Sequence, residues 1–146
     1  LAEVLTWRIT GLQELNKRLL TLNEDLQKRI SYAAVSAAAR VIKKKAIENA
    51  KAQGLHDSGS LQENIAISRN RIGETGIGQY SYRIGVRGRK KAKKGGNNPW
   101  YWWLHEFGSS KHPARPFITP AMMSERSNAL DAMERIIERR LQKAGA

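Results

Sequence analysis

Apolar and polar positions alternate in three distinct ways along the chain. Val4-Leu5-Thr6-Trp7-Arg8-Ile9-Thr10 is β-branched and aromatic, the pattern of a strand, and Gly11 ends it. Leu12, Leu15, Leu19 and Leu22 then recur at three- and four-residue spacing, which predicts a short helix over about 11–21. Asn23 before Glu24 and Asp25 reads as a fresh N-cap with acids in the first turn, opening a long helix over about 23–52. Leu26, Ile30, Ala33, Ala37 and Val41 predict one apolar stripe of that helix. Val35, Ala39, Ile42 and Ala46 predict another, so the helix is expected to be covered on two sides, by its own sheet and by something else. Its far end is basic, with Arg40, Lys43, Lys44, Lys45 and Lys51, and Gly54 predicts the stop.

Beyond a polar turn at His56-Asp57-Ser58-Gly59-Ser60, residues Leu61 to Ile67 lead into a strand, with Ile65 and Ile67 on one face. Gly73, Gly76 and Gly78 mark a loop or hairpin. Tyr80, Tyr82, Ile84 and Val86 share one side of the clearest strand in the sequence. An aromatic cluster spans Pro99-Trp100-Tyr101-Trp102-Trp103-Leu104. Pro113, Pro116 and Pro120 break regular structure until a last helix with Leu130, Met133, Ile137 and Leu141 on one face. These 146 residues carry no internal repeat and read as one domain, 1–146.

Charge changes the picture more than composition does. There are 26 Lys and Arg against 13 Asp and Glu, a formal net charge of +13. Such an excess attracts polyanions: nucleic acid, a membrane face or an acidic protein. The excess is densest in the glycine-bounded segment after Val86, where Arg87, Arg89, Lys90, Lys91, Lys93 and Lys94 stand within eight positions. These six are candidate contacts to DNA phosphates or to an acidic partner. No apolar run approaches the roughly 20 residues of a membrane span, and LAEVLTWRIT lacks a signal-peptide pattern. Leu1 stands where a Met would start translation, so further residues are expected before it. The absence of cysteine rules out a disulfide frame or thiolate metal site and fits assembly in a reducing cytoplasm.

The residues do not assemble into an expected active site. His56, His105 and His112 have no metal-ligand spacing, and Trp103-Leu104-His105-Glu106-Phe107 is not a zinc-binding H-E-x-x-H helix. The glycines from Gly73 to Gly88 form no phosphate-cradling motif, and Ser58 and Ser60 sit in no nucleophile elbow. A nuclease needs clustered carboxylates, and residues 75–105 contain none. The expectation is therefore no enzyme, no metal and no cofactor.

One stretch is distinctive. Glu106-Phe107-Gly108-Ser109-Ser110-Lys111 follows an aromatic run, and Pro113-Ala114-Arg115-Pro116-Phe117-Ile118-Thr119-Pro120-Ala121 comes next. This resembles the signature of the phage HK97 gp10-like family: an aromatic pair, E-F-G-[TS] with a lysine, then P-A-R-P-F-x-x-P-A. Ile9-Thr10-Gly11-Leu12-Gln13-Glu14-Leu15 is similar to that family's opening, and Asp57-Ser58-Gly59-Ser60-Leu61-Gln62-Glu63-Asn64-Ile65 to its T-G-x-L-x-x-S-I element, with Asn64 in place of serine. The basic loop is not a family feature.

The resemblance implies a structural protein of the virion neck, made in the host cytoplasm, that completes the tail and joins it to the head as part of a ring. It implies sixfold self-association and contacts with head-closure, tail-terminator or tail-tube subunits; the basic segment adds packaged DNA in the channel as a candidate partner, and the lack of an apolar span leads to the expectation of no membrane. The candidate interface residues are Trp103, Glu106, Phe107, Gly108, Lys111, Pro113, Arg115, Pro116, Phe117 and Pro120. Physically, Gly108 is expected to permit a turn that a side chain blocks, Arg115 to offer a planar fork, and Phe107 and Phe117 to anchor the segment. Alternatively, the whole segment ties the last helix to the sheet. The expected fold is α+β: a small antiparallel or mixed sheet of three or four strands, packed with the long helix and a C-terminal helix. The rival function is a basic nucleic-acid-binding protein using Arg87 to Lys94.

Overall fold

The computed structural model describes residues 13–55, 60–71, 80–87 and 102–145. The strand expected over Val4 to Thr10, the turn at His56 to Gly59, the glycine loop and the basic stretch beyond Arg87 lie outside the described residues, as do Trp100 and Tyr101.

Helix α1 (Gln13–Leu20) leads into α2 (Glu24–Ala52), a rod about 43 Å long at 1.5 Å per residue. The boundary is set as the sequence predicts. Asn23 has extended backbone, and its side-chain oxygen accepts the Leu26 N–H at 2.9 Å. At the other end Gly54 takes φ +73°, the left-handed conformation that closes a helix. A single helical turn, α3 (Ser60–Asn64), stands where the sequence suggested the lead into a strand. Strand β1 (Ile65–Arg69) pairs antiparallel with β2 (Tyr82–Val86), Ile65 opposite Val86 and Arg69 opposite Tyr82. Three helices follow: α4 (Trp102–Phe107), α5 (Ile118–Ser124) and α6 (Arg126–Lys143).

The architecture is α+β, with an antiparallel sheet of two strands among the described residues rather than three or four. The core sits between α2, α5, α6 and the sheet. Its spine on α2 is Ile30, Ala34, Ala38, Ile42, Ala46 and Ala50, one residue in every four. At 3.6 residues per turn each such step advances roughly 40°, so the buried row winds about halfway round the rod. This corrects the first expected stripe, of which Ile30 is buried while Leu26, Ala33, Ala37 and Val41 are half-buried; in the second, Ala39, Ile42 and Ala46 are buried as expected and Val35 is half-buried. The small residues along the winding row let α6 approach closely and present Met133, Ile137 and Leu141, as predicted, with Ala129 taking the place expected of the half-buried Leu130.

Coverage from two sides does occur, and both covers belong to this chain. On the sheet side, the Tyr32 ring of α2 meets Tyr80 edge-on at 4.8 Å and Tyr82 at 6.3 Å, with the Arg69 guanidinium 4.0 Å from its centroid. On the helical side, Arg18 reaches both carboxylate oxygens of Glu138 at 3.2 and 3.0 Å, tying α1 to the far part of α6. Since α5 starts beside the C-terminal end of α2 and Glu138 lies beside α1, α6 runs back along α2.

Candidate functional site

The distinctive segment folds into α4, a loop and the start of α5. Its organising atom group is the Glu106 carboxylate, buried at 6% exposure. Glu106 Oε2 accepts the backbone N–H of Phe117 at 2.9 Å and of Ile118 at 3.1 Å. Oε1 accepts the Thr119 N–H at 2.8 Å and the Thr119 hydroxyl at 2.7 Å. A helix leaves its first N–H groups without intrahelical partners. In α5 these belong to positions 117 to 120: one carboxylate takes the first three, and Pro120 has no N–H to satisfy. Pro120 therefore begins a helix instead of breaking one, a correction to the sequence reading, because a first-turn proline costs no hydrogen bond.

The opposite side of the same strand of chain is fastened to α2. The Asn49 side-chain amide donates to the Phe117 carbonyl at 3.1 Å, and that of Gln53 to the Pro116 carbonyl at 2.7 Å. Between these anchors the Phe117 ring is fully buried, as is Ala121. Thr119, Asn49 and Gln53 were not singled out from sequence. Their partners lie 13 to 68 residues away, beyond any local pattern.

Residues 108–115 form a knob on this root. Gly108 has φ +73°, and a Cβ there would lie 2.9 Å from the Ala114 backbone nitrogen, so glycine is required by both conformation and space. Ser109 and His112 exchange backbone hydrogen bonds at 2.8 and 3.3 Å, and the Arg115 N–H donates to the His105 carbonyl at 2.6 Å. The Ser109 hydroxyl accepts the N–H groups of Lys111 and His112. The knob is thus held by its own backbone while the side chains of Ser109 to Arg115 stay exposed.

The ten candidate interface residues divide accordingly. Glu106 and Phe117 are buried inside the subunit, Gly108, Pro116 and Pro120 are half-buried, and Trp103, Phe107, Lys111, Pro113 and Arg115 are exposed. Phe107, expected to be an anchor, is 42% exposed, and Trp103, one helical turn earlier on α4, is 43% exposed. Trp102 faces inward and packs on the core. So the stretch both ties the C-terminal helices to α2 and leaves a separate outer face.

Of the six cations proposed to meet DNA or an acidic partner, Arg87 is described. It is half-buried, its N–H bonds the Asn64 carbonyl at 2.9 Å, and one guanidinium nitrogen donates to the Glu63 carbonyl at 2.9 Å. It roots β2 on α3. Arg89, Lys90, Lys91, Lys93 and Lys94 lie outside the described residues. Among the described residues no three His, Asp or Glu side chains are placed to hold a metal ion, and no helix is long and apolar enough to cross a membrane.

Residues 13–108 match the family model described as "Bacteriophage HK97-gp10, putative tail-component". The match runs from the start of α1 to the Glu106-Phe107-Gly108 turn, about two thirds of the chain. No curated protein and no solved structure matches the chain.

Proposed function

Because this chain belongs to the HK97-gp10-like family of phage tail components, we propose that its place in the virion is the neck. There, copies form a ring that completes the tail and joins it to the head. The coarser statement follows from the family itself: the chain is a structural phage tail protein that meets other virion proteins. The observation that carries the finer reading is the rooted knob. Glu106 and Phe117 fix it from within, while Trp103, Phe107, Lys111, Pro113 and Arg115 stand exposed on a preformed backbone. A preformed surface loses little entropy on docking, which suits a joint assembled once and then held. A closed ring needs two different patches that meet head to tail, since a two-fold contact ends at a dimer. Six copies, with head-closure, tail-terminator or tail-tube subunits as neighbours, make up the proposed setting.

Glu106, which follows His105 in the sequence, is engaged in capping a helix, which supports a structural role for it. The basic segment from Arg87 to Lys94 gives the ring a second surface, facing either packaged DNA or acidic neighbours. If the chain instead acts as a free DNA-binding protein, it binds duplex DNA as a monomer with a steep salt dependence.

The test is removal of the gene from the phage. The neck reading predicts DNA-filled heads and separate tails in the lysate, rejoined when the chain is supplied. Normal joined particles without it would contradict the reading.

A further inference from the structure

From Phe107 to Ser124 the chain has no acidic residue, and the exposed side chains of the knob that follows the Trp103–Phe107 face of α4 include Lys111, His112 and Arg115. Three of the described acids stand together on α6. On the outer side of α6, Asp131, Glu134 and Glu138 line a shallow depression of about 370 Å³ with Arg135. Glu138 is bonded to Arg18, whereas Asp131 and Glu134 are exposed and form no ion pair among the described residues. The two patches differ in sign, and they lie apart along the subunit. The knob is rooted at Asn49 and Gln53, near the end of α2, and α6 carries the depression back toward α1 at its beginning.

Resting on the ring reading above, we infer that the partner of the Trp103–Phe107 face is a second copy of this chain. The knob of one copy docks against the acidic side of α6 in the next. Charge complementarity selects this occupant. A chain of net charge +13 repels its own copies, and association needs a contact in which cations meet carboxylates locally. Lys111 and Arg115 supply the cations, and Asp131 and Glu134 the carboxylates. Trp103 and Phe107 supply the apolar area that charge alone does not, aromatic anchors being the groups that carry most interface energy. Two unlike patches at separate places give the head-to-tail contact from which a ring closes.

The experiment uses the full chain and two charge-reversed variants, followed by sedimentation velocity at low and high salt. One variant carries Lys111→Glu and Arg115→Glu, the other Asp131→Lys and Glu134→Lys. All four sites are exposed, and circular dichroism with thermal melting confirms that each variant folds. Wild type is expected to self-associate, more weakly as salt rises. Each variant alone should associate at least tenfold more weakly. Mixed in equal amounts they should associate again, because acidic knobs then meet basic α6 faces and the reverse. A third variant, Trp103→Ser with Phe107→Ser, should weaken association while lowering the melting temperature far less than Phe117→Ala does. Wild type that assembles while indifferent to the α6 reversal overturns this contact and leaves the ring intact. A wild type that stays monomeric, or a mixture that stays apart, also overturns it. Loss of duplex-DNA binding on knob reversal, with self-association unchanged, assigns the face to nucleic acid instead.

Discussion

Glu106 and Thr119 are joined twice: one carboxylate oxygen of Glu106 accepts both the backbone N–H and the hydroxyl of Thr119, at 2.8 and 2.7 Å. Glu106→Gln retains the shape but turns an NH₂ group toward N–H donors. Hydrogen bonds to a charged group contribute about 1.5–3 kcal/mol, so the substitution should destabilise the fold by roughly that amount. Thr119→Val removes only the hydroxyl bond to that carboxylate and should cost the low end of the range, about 1.5 kcal/mol. Urea denaturation of both variants checks the ranking; equal stabilities would show that the cap does not hold α5.

Gly54 and Gly108 share φ +73° but differ in surroundings. Gly54→Ala meets nothing within 4 Å and should cost about 1–2 kcal/mol from the backbone alone. Gly108→Ala adds a collision with Ala114, and Gly108→Val adds β-branching, so both should melt lower than Gly54→Ala and yield less soluble protein. Melting curves of the three variants decide it, and a Gly108→Val protein as stable as wild type contradicts the argument.

Phe117→Ala empties a fully buried site between α2, α4 and α5. Large-to-small changes of this kind cost about 3–5 kcal/mol. Phe107→Ala, on an exposed ring, should cost much less stability and affect assembly instead. Comparing melting temperature with assembly yield for the pair separates the inner from the outer half of the motif.

The segment's dual role shows what sequence conveys and what it does not. The helix boundaries at Asn23 and Gly54 were legible because caps are local signals. So were the β2 alternation from Tyr82 to Val86 and the α6 row through Met133, Ile137 and Leu141. The winding row on α2 was legible only at Ile30, Ile42 and Ala46, since Ala34, Ala38 and Ala50 are too small to stand out in an alanine-rich helix. The cap on α5 was invisible for another reason. Phe117 occupies the N-cap position and has no side-chain acceptor, so the acceptor is borrowed from Glu106, eleven residues earlier. Pro120 read as a breaker because its helix had no recognisable start.

The cations beyond Arg87 should matter for assembly and not for folding. Replacing Lys90, Lys91, Lys93 and Lys94 with serine should leave the melting temperature nearly unchanged, since a run of like charges between glycines brings no large apolar side chain to a core. It should lower the yield of joined heads and tails or loosen DNA retention. Full infectivity of that variant across a range of salt would remove the electrostatic part of the account.

The central claim, a neck subunit of the virion, is tested most directly by imaging. Electron microscopy of purified virions carrying a dense label on this chain should place the label at the joint between head and tail, as a ring. Label along the tail tube, at the distal tip, or missing from mature particles would contradict it.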